Sequence, residues 1–228
     1  MKRIYQGKTK DVCELDASTY RLQFKDDVTG RDGVFDPGAN EVGLTMDGIG
    51  RKNLELSVFF FEKLKAMQLP THYLSADLSK NTMDVTPVKA FGDGLEVITR
   101  YRAVGSFYRR YGKYIEEGAP LDQLIEITLK DDQRQDPLIN EQALIALKLL
   151  TQAQYDEIIA LNRQIADVIR KELLDHDLEL YDLKLEFGLD SQGKILLIDE
   201  ISGGNMRVYR SATSEYVEPM ELVELITQ

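Results

Sequence analysis

Cysteine occurs once and histidine twice in the 228 residues, and no apolar run approaches the length of a membrane span. The lone Cys13 excludes an internal disulfide, and a reducing compartment, read here as the cytoplasm, is the simplest setting. His72 and His176 lie far apart without metal-ligand spacing, and Cys13 has no CxxC partner. Zinc chemistry and a cysteine nucleophile are therefore not expected, and all three side chains are read as structural. The opening MKRIYQGKTK lacks the apolar core of a signal peptide, and clusters such as SVFFFEKL have core length, so no membrane partner is expected. Cations are scarce too: 28 Lys and Arg against 39 Asp and Glu leave a net charge of -11, which opposes binding to nucleic acid. No GxGxxG follows a strand, and GxSxG and the Walker A loop are absent, so dinucleotide, hydrolase-elbow and P-loop readings lack support.

With 43% hydrophobic and 29% charged residues, the chain has ordinary globular composition and is long enough to support one large core or two lobes. IYQGKTKDVCEL and TYRLQFKDD alternate as two strands joined across Asp16 to Thr19. Val28 to Gly50, with six glycines and one proline, reads as a long loop. Leu54, Val58, Phe61 and Leu64 then mark an amphipathic helix from about Lys52 to Met67. THYLSADL and LEVITRYRAVGS read as strands, the latter after a hairpin turn at Asp93-Gly94. Ser106 is placed as the N-cap of a helix in FYRRYGKYIEEG. A helical stretch from Asn140 to about Asp175 restarts at Thr151, and LELYDLKLEFGLDSQGKILLIDEIS forms a hairpin turning at Ser191 to Gly193. A short helix near Pro219 to Thr227 closes the chain. Strands, then a helix, then strands and helices again indicate α+β in two lobes, 1–80 and 81–228.

Three clusters could carry chemistry. In YDLKLEFG, alternation puts Asp182, Lys184 and Glu186 on one face and Leu183, Leu185 and Phe187 on the other. The hairpin would bring Glu186 toward Asp199, beside Glu200, and one or two carboxylates with phosphate oxygens suit Mg²⁺; as a bare pattern, a solvated strand face is the blander account. Lys8 and Lys10 share one side of the first strand beside Gly7, which admits a phosphate or an ordinary basic edge. EVITRYRAVGSFYRR holds Arg100, Arg102, Arg109 and Arg110 within eleven residues, and Gly105-Ser106 falls at a strand-to-helix junction suited to an anion. Arg109 and Arg110 equally suit a helix surface.

Taken together, IYQGKTKDV, FKDDVTG, GIGRKNLELSVFFFEKL, QLPTHYL, EVITRYRAVGS, DPLINEQALIAL and YDLKLEFGLDSQGKILLIDEIS, in this order over about residues 3 to 210, resemble the SAICAR synthetase family. The resemblance implies an ATP-grasp-like α+β fold with an ATP cleft between two lobes. It implies ligation of a carboxyaminoimidazole ribonucleotide to L-aspartate, with ATP and Mg²⁺, through an acyl phosphate. Carried over position by position, Lys8 and Lys10 meet the nucleotide phosphates, and Glu186 and Asp199 hold Mg²⁺ with Lys184 beside them. Arg100, Ser106 and Arg207 bind the ribonucleotide phosphate, and Lys130 and Asp136 match the loop LKxDxxxxDP bordering the cleft. Small molecules are thus the expected partners, with a homo-oligomer left open.

The sequence also departs from the family pattern. DEISPDxxRLWD becomes DEISGGNMRVYR, which places Gly203, Gly204, Tyr209 and Arg210 at altered positions. GKGxxN becomes GIGRKN, with Ile49 for a lysine, RN becomes Arg100-Tyr101, and the end is short. The alternatives are a homologue ligating a different acid and amine, and a non-catalytic nucleotide-binding protein.

Overall fold

The computed structural model describes residues 2–31, 34–35 and 42–227. The chain divides into two units, the first made of residues 1–89, 188–204 and 218–228, the second of 90–187 and 205–217. This differs from the expected division into 1–80 and 81–228.

In the first unit, β1 (Lys2–Gln6), β2 (Lys10–Asp16) and β3 (Thr19–Phe24) pair antiparallel in turn. The strand expected through Gly7 to Thr9 is therefore two strands. The Gly7 N–H donates to Lys10 O at 2.8 Å to close the connection, and a Cβ on residue 7 would lie 2.5 Å from that oxygen. The loop expected over 28–50 instead holds β4 (Asp27–Arg31), β5 (Val34–Phe35) and β6 (Val42–Thr45), with β4 pairing both others. Residues 32–33 and 36–41 of that loop lie outside the described ones. α1 (Ile49–Ala66) follows, longer at its start than expected because Gly48 takes the left-handed conformation (φ 81°) and the Gly50 N–H donates to Asp26 Oδ1 at 2.9 Å. Its buried face carries Ile49, Leu54, Phe60, Phe61 and Leu64. β7 (Tyr73–Asp77) and β8 (Thr82–Val85) complete a sheet ordered β1-β2-β3-β8-β7, which is why the unit runs past residue 80.

In the second unit, after the two-residue β9 (Lys89–Ala90), the Gly94 N–H donates to Phe91 O at 3.0 Å and β10 (Leu95–Arg102) begins. α2 (Gly105–Tyr111), β11 (Pro120–Leu129), α3 (Glu141–Ala146), α4 (Gln152–Asp175), β12 (Leu178–Leu189, in this unit to Phe187) and β14 (Met206–Arg210) follow, with β13 (Ile195–Ile198) belonging to the first unit. β10 pairs antiparallel with β11 and β12, and β14 with β12. Ser106 is not the cap of α2: Val104 is the N-cap residue and makes no side-chain cap bond. Thr151 does cap α4, in a box with Gln154. The other face of β10 meets α4, where Asn162 Nδ2 donates to Thr99 Oγ1 at 2.6 Å over buried Ile158, Ile165 and Ile169.

The chain returns to the first unit at Gly188. The expected turn forms, with the Asp190 N–H on Lys194 O at 3.0 Å, and leads into β13. Leu197 bridges Thr71 in parallel: its N–H donates to Pro70 O at 3.0 Å and its oxygen accepts from the His72 N–H at 2.9 Å. Finally α5 (Pro219–Thr227) buries Leu222, Val223 and Ile226 in the first unit. No helix among the described residues is long and apolar enough to cross a membrane.

Candidate active site

In the first unit, Lys10 opens β2 opposite Phe24, whose ring centroid lies 5.4 Å from the ammonium. Its Nζ stands 3.1 Å from Asp199 Oδ1 and 2.7 Å from Glu200 Oε1. Burial works to lower the ammonium pKa, but the two carboxylates outweigh it and raise it above the usual value. Lys8 does not share a strand face with Lys10; it sits half-buried in the Gly7–Thr9 connection. Lys25 braces that connection, donating its Nζ to Gly7 O at 2.7 Å and its backbone N–H to Thr9 O at 2.9 Å.

Asp199 follows β13 in the left-handed region (φ 69°), a conformation that costs a non-glycine residue about 1 kcal/mol or more. The His72 ring reaches its carbonyl, Nε2 to Asp199 O at 3.1 Å, and since a carbonyl only accepts, Nε2 carries the proton. The next turn is tied to α1, because Ser57 Oγ donates to Asn53 O at 2.7 Å and accepts from the Ile201 N–H at 3.3 Å.

In the second unit, strand register builds a charged face. Glu96, Ile98 and Arg100 of β10 stand opposite Glu186, Lys184 and Asp182 of β12 and opposite Thr128, Glu126 and Leu124 of β11. Lys184 Nζ lies 2.7 Å from Glu96 Oε1, and Thr128 Oγ1 donates to Glu96 Oε2 at 2.9 Å. Lys130 Nζ reaches Glu186 Oε1 at 2.8 Å. Burial works against the Lys184 ammonium, but Glu96 and Glu186 raise it on balance. Asp136, in the turn after the short 3₁₀ helix Asp132–Arg134, accepts from the Asp131 N–H at 2.7 Å, and burial pushes its carboxyl up.

Arg100, Ser106 and Arg207 are brought together around Asp182. Arg100 donates through Nη1 to Asp182 Oδ2 at 2.8 Å, through Nε to Glu126 Oε2 at 2.6 Å and through Nη2 to Ser106 Oγ at 2.8 Å. Arg207 Nη1 donates to the same Asp182 oxygen at 2.8 Å. A Cβ on Gly105 would fall 2.7 Å from Arg207 Nη1, so the glycine leaves room for that guanidinium. Arg100 is only 1% exposed, which makes it the inner member of the group. Arg110 also pairs with Glu126 at 2.7 Å, so it is more than surface decoration.

Sequence reasoning missed Glu96, Glu126 and Glu200 as counter-ions, and the role of Asp182 between two arginines. The signal was present for Glu96, whose parity matches Arg100 in EVITR, but its partner Lys184 appears only with the cross-strand register. Glu186 in the second unit and Asp199 in the first each carry a hard carboxylate oxygen of the kind that suits Mg²⁺, and each already faces a lysine of its own unit. No group of three or more His, Cys, Asp or Glu gathers as a metal cage among the described residues, and Mg²⁺ bound through one or two carboxylates and phosphate oxygens needs none.

The departures from the family pattern have local reasons. Ile49 is wholly buried in α1. At Gly203 a Cβ would lie 2.6 Å from Pro219 Cβ, so the glycine lets α5 pack. Tyr209 stacks on Tyr181 at 3.8 Å between ring centroids.

The family model for SAICAR synthetase matches residues 3–222. A phosphoribosylaminoimidazole-succinocarboxamide synthase of Clostridium tetani (strain Massachusetts / E88) is 55% identical over 229 residues, covering 100% of both chains. The crystal structure of the Ehrlichia chaffeensis synthase superposes with a TM-score of 0.85 at 26% identity, covering 95% of this chain and 89% of that one. A SAICAR synthetase in complex with ADP gives 0.82 at 29% identity, covering 94% and 87%. The mixed α/β architecture is shared with these structures, and on the family match and the full-length identity the chain belongs to the SAICAR synthetase family.

Proposed function

We propose that the chain is an ATP-dependent ligase that forms an amide between a carboxyaminoimidazole ribonucleotide and L-aspartate, the SAICAR-forming step of purine biosynthesis. The observation that carries this reading is the 55% identity, over the whole of both chains, to the Clostridium tetani synthase. Use of ATP is supported by the related SAICAR synthetase in complex with ADP.

A carboxylate is a poor acyl donor because oxide would have to leave. Its oxygen therefore attacks the γ-phosphorus of ATP, ADP departs, and an acyl phosphate forms. The aspartate amine then attacks the acyl carbon, the C–O bond to phosphate breaks, phosphate leaves with that electron pair, and the nitrogen gives up a proton. Lys8 and Lys10 take the nucleotide phosphates, and Lys184 and Lys130 offset charge on the transferring group. As the resemblance implies, Glu186 and Asp199 would hold Mg²⁺, which would supply further charge neutralisation when bound. Asp136, its carboxyl pushed up by burial, accepts the amine proton. Ser106 and Arg207 hold the ribonucleotide phosphate, and Arg100, which the resemblance also assigns to that phosphate, is 1% exposed and braces Ser106 directly and Arg207 through their shared Asp182 carboxylate rather than meeting the phosphate itself.

Purified protein given ATP, Mg²⁺, the carboxyaminoimidazole ribonucleotide and aspartate is expected to release ADP and phosphate in step with succinocarboxamide. ADP release only with other acid and amine pairs would replace the named substrates, and ATP binding without turnover on any pair would reduce the protein to a nucleotide binder.

A further inference from the structure

His72 lies outside the groups assigned to the reaction, yet the residue is 3% exposed and its ring Nε2 is 3.1 Å from the Asp199 carbonyl oxygen. The backbone around it is fixed on both sides. Its N–H donates to Leu197 O at 2.9 Å, and its own carbonyl accepts from the Thr86 N–H at 2.7 Å. The ring packs against Phe61, 5.6 Å between centroids. A rigid donor therefore meets a peptide held at φ 69°, two residues after the Leu197 bridge. At Asp199 the peptide direction decides where the side chain points, and the side chain stands 3.1 Å from Lys10 Nζ.

We propose that His72 is a positioning residue: its Nε2–H pins the Asp199 carbonyl, holds that residue left-handed, and so aims the Asp199 carboxylate toward Lys10 and the Mg²⁺–nucleotide complex. The inference rests on the nucleotide reading above. Outer groups of this kind, which orient a metal-binding carboxylate without touching the metal, change metal affinity by about 10 to 100-fold when lost.

Two amides separate reach from polarity. The Gln amide nitrogen occupies roughly the position of Nε2 and that of Asn the position of Nδ1, so His72→Gln keeps the donor at the carbonyl and His72→Asn does not. Titration calorimetry with Mg²⁺–ADP is the readout, with thermal melts to confirm folding. His72→Gln should bind within about threefold of wild type and His72→Asn about tenfold or more weakly. In an Asp199→Asn background, where no carboxylate remains to aim, His72→Asn should add little. Equal binding by both His72 variants and wild type, or an undiminished effect in the Asp199→Asn background, would overturn the proposal while leaving the nucleotide reading intact. No binding by wild type would overturn both. Nitrogen-15 NMR of the histidines tests the donor without any variant: His72 should appear as the Nε2–H tautomer, and an Nδ1–H tautomer would refute the assignment even if His72→Asn failed to fold.

Discussion

The most consequential single residue is Asp182, whose carboxylate answers both Arg100 and Arg207 while only 5% exposed. Replacing it by Ala leaves two guanidinium groups short of charge in a buried place, and the variant should lose about 3 to 5 kcal/mol in urea unfolding. Arg207→Ala is a milder change, because Asp182 keeps Arg100. That variant should lose about 1 kcal/mol, yet raise KM for the ribonucleotide about tenfold or more with KM for ATP unchanged. Steady-state kinetics with each substrate varied separates the two. A rise in KM for ATP alone would reassign Arg207. The four arginines of EVITRYRAVGSFYRR were legible as a cationic group, and their division of labour was not. Spacing along one chain shows that Arg100 and Asp182 are charged; only the cross-strand pairing shows that each neutralises the other.

Among the elements, those with strong local signals were read nearly as they stand. β10, β12 and α4 alternate or repeat cleanly, and Thr151 announces its helix. Loss of that cap is testable: Thr151→Ala should lower stability by about 1 kcal/mol in chemical denaturation, with turnover unchanged. The elements that were misread depend on contacts remote in sequence. β4 and β6 are stabilised by each other and carry glycines that hide their alternation, and the Gly7–Thr9 break is fixed by Lys25, which lies between β3 and β4. The start of α2 was misplaced because Ser106, a good cap by type, is engaged by Arg100 instead.

On the scale of the molecule, acid stability couples one buried ring to the whole fold. Burial holds the His72 imidazole down to about 4, with the Asp199 carboxylate opposing and Lys10 adding to the shift. An unfolded histidine titrates near 6.5, so protons favour the unfolded chain as pH falls below that value, and the loss grows until about pH 4. The full effect is on the order of 3 kcal/mol, and the difference between wild type and His72→Gln in urea unfolding should shrink by that amount from pH 7 to pH 4. A constant difference would show that the ring does not resist protonation in the fold. The expected boundary near residue 80 did not include the return of residues 188–204 and 218–228 to the first unit, since nothing in a linear pattern marks which earlier strand a later one will join. That return has a consequence for biosynthesis. At a translation rate of about 5 to 20 residues per second, residues 1–89 wait on the order of 10 s before Asp199 and Glu200 are made. Lys10 thus leaves the ribosome well before its counter-ions do, and for that interval the nascent sheet around it lacks the two carboxylates that neutralise it.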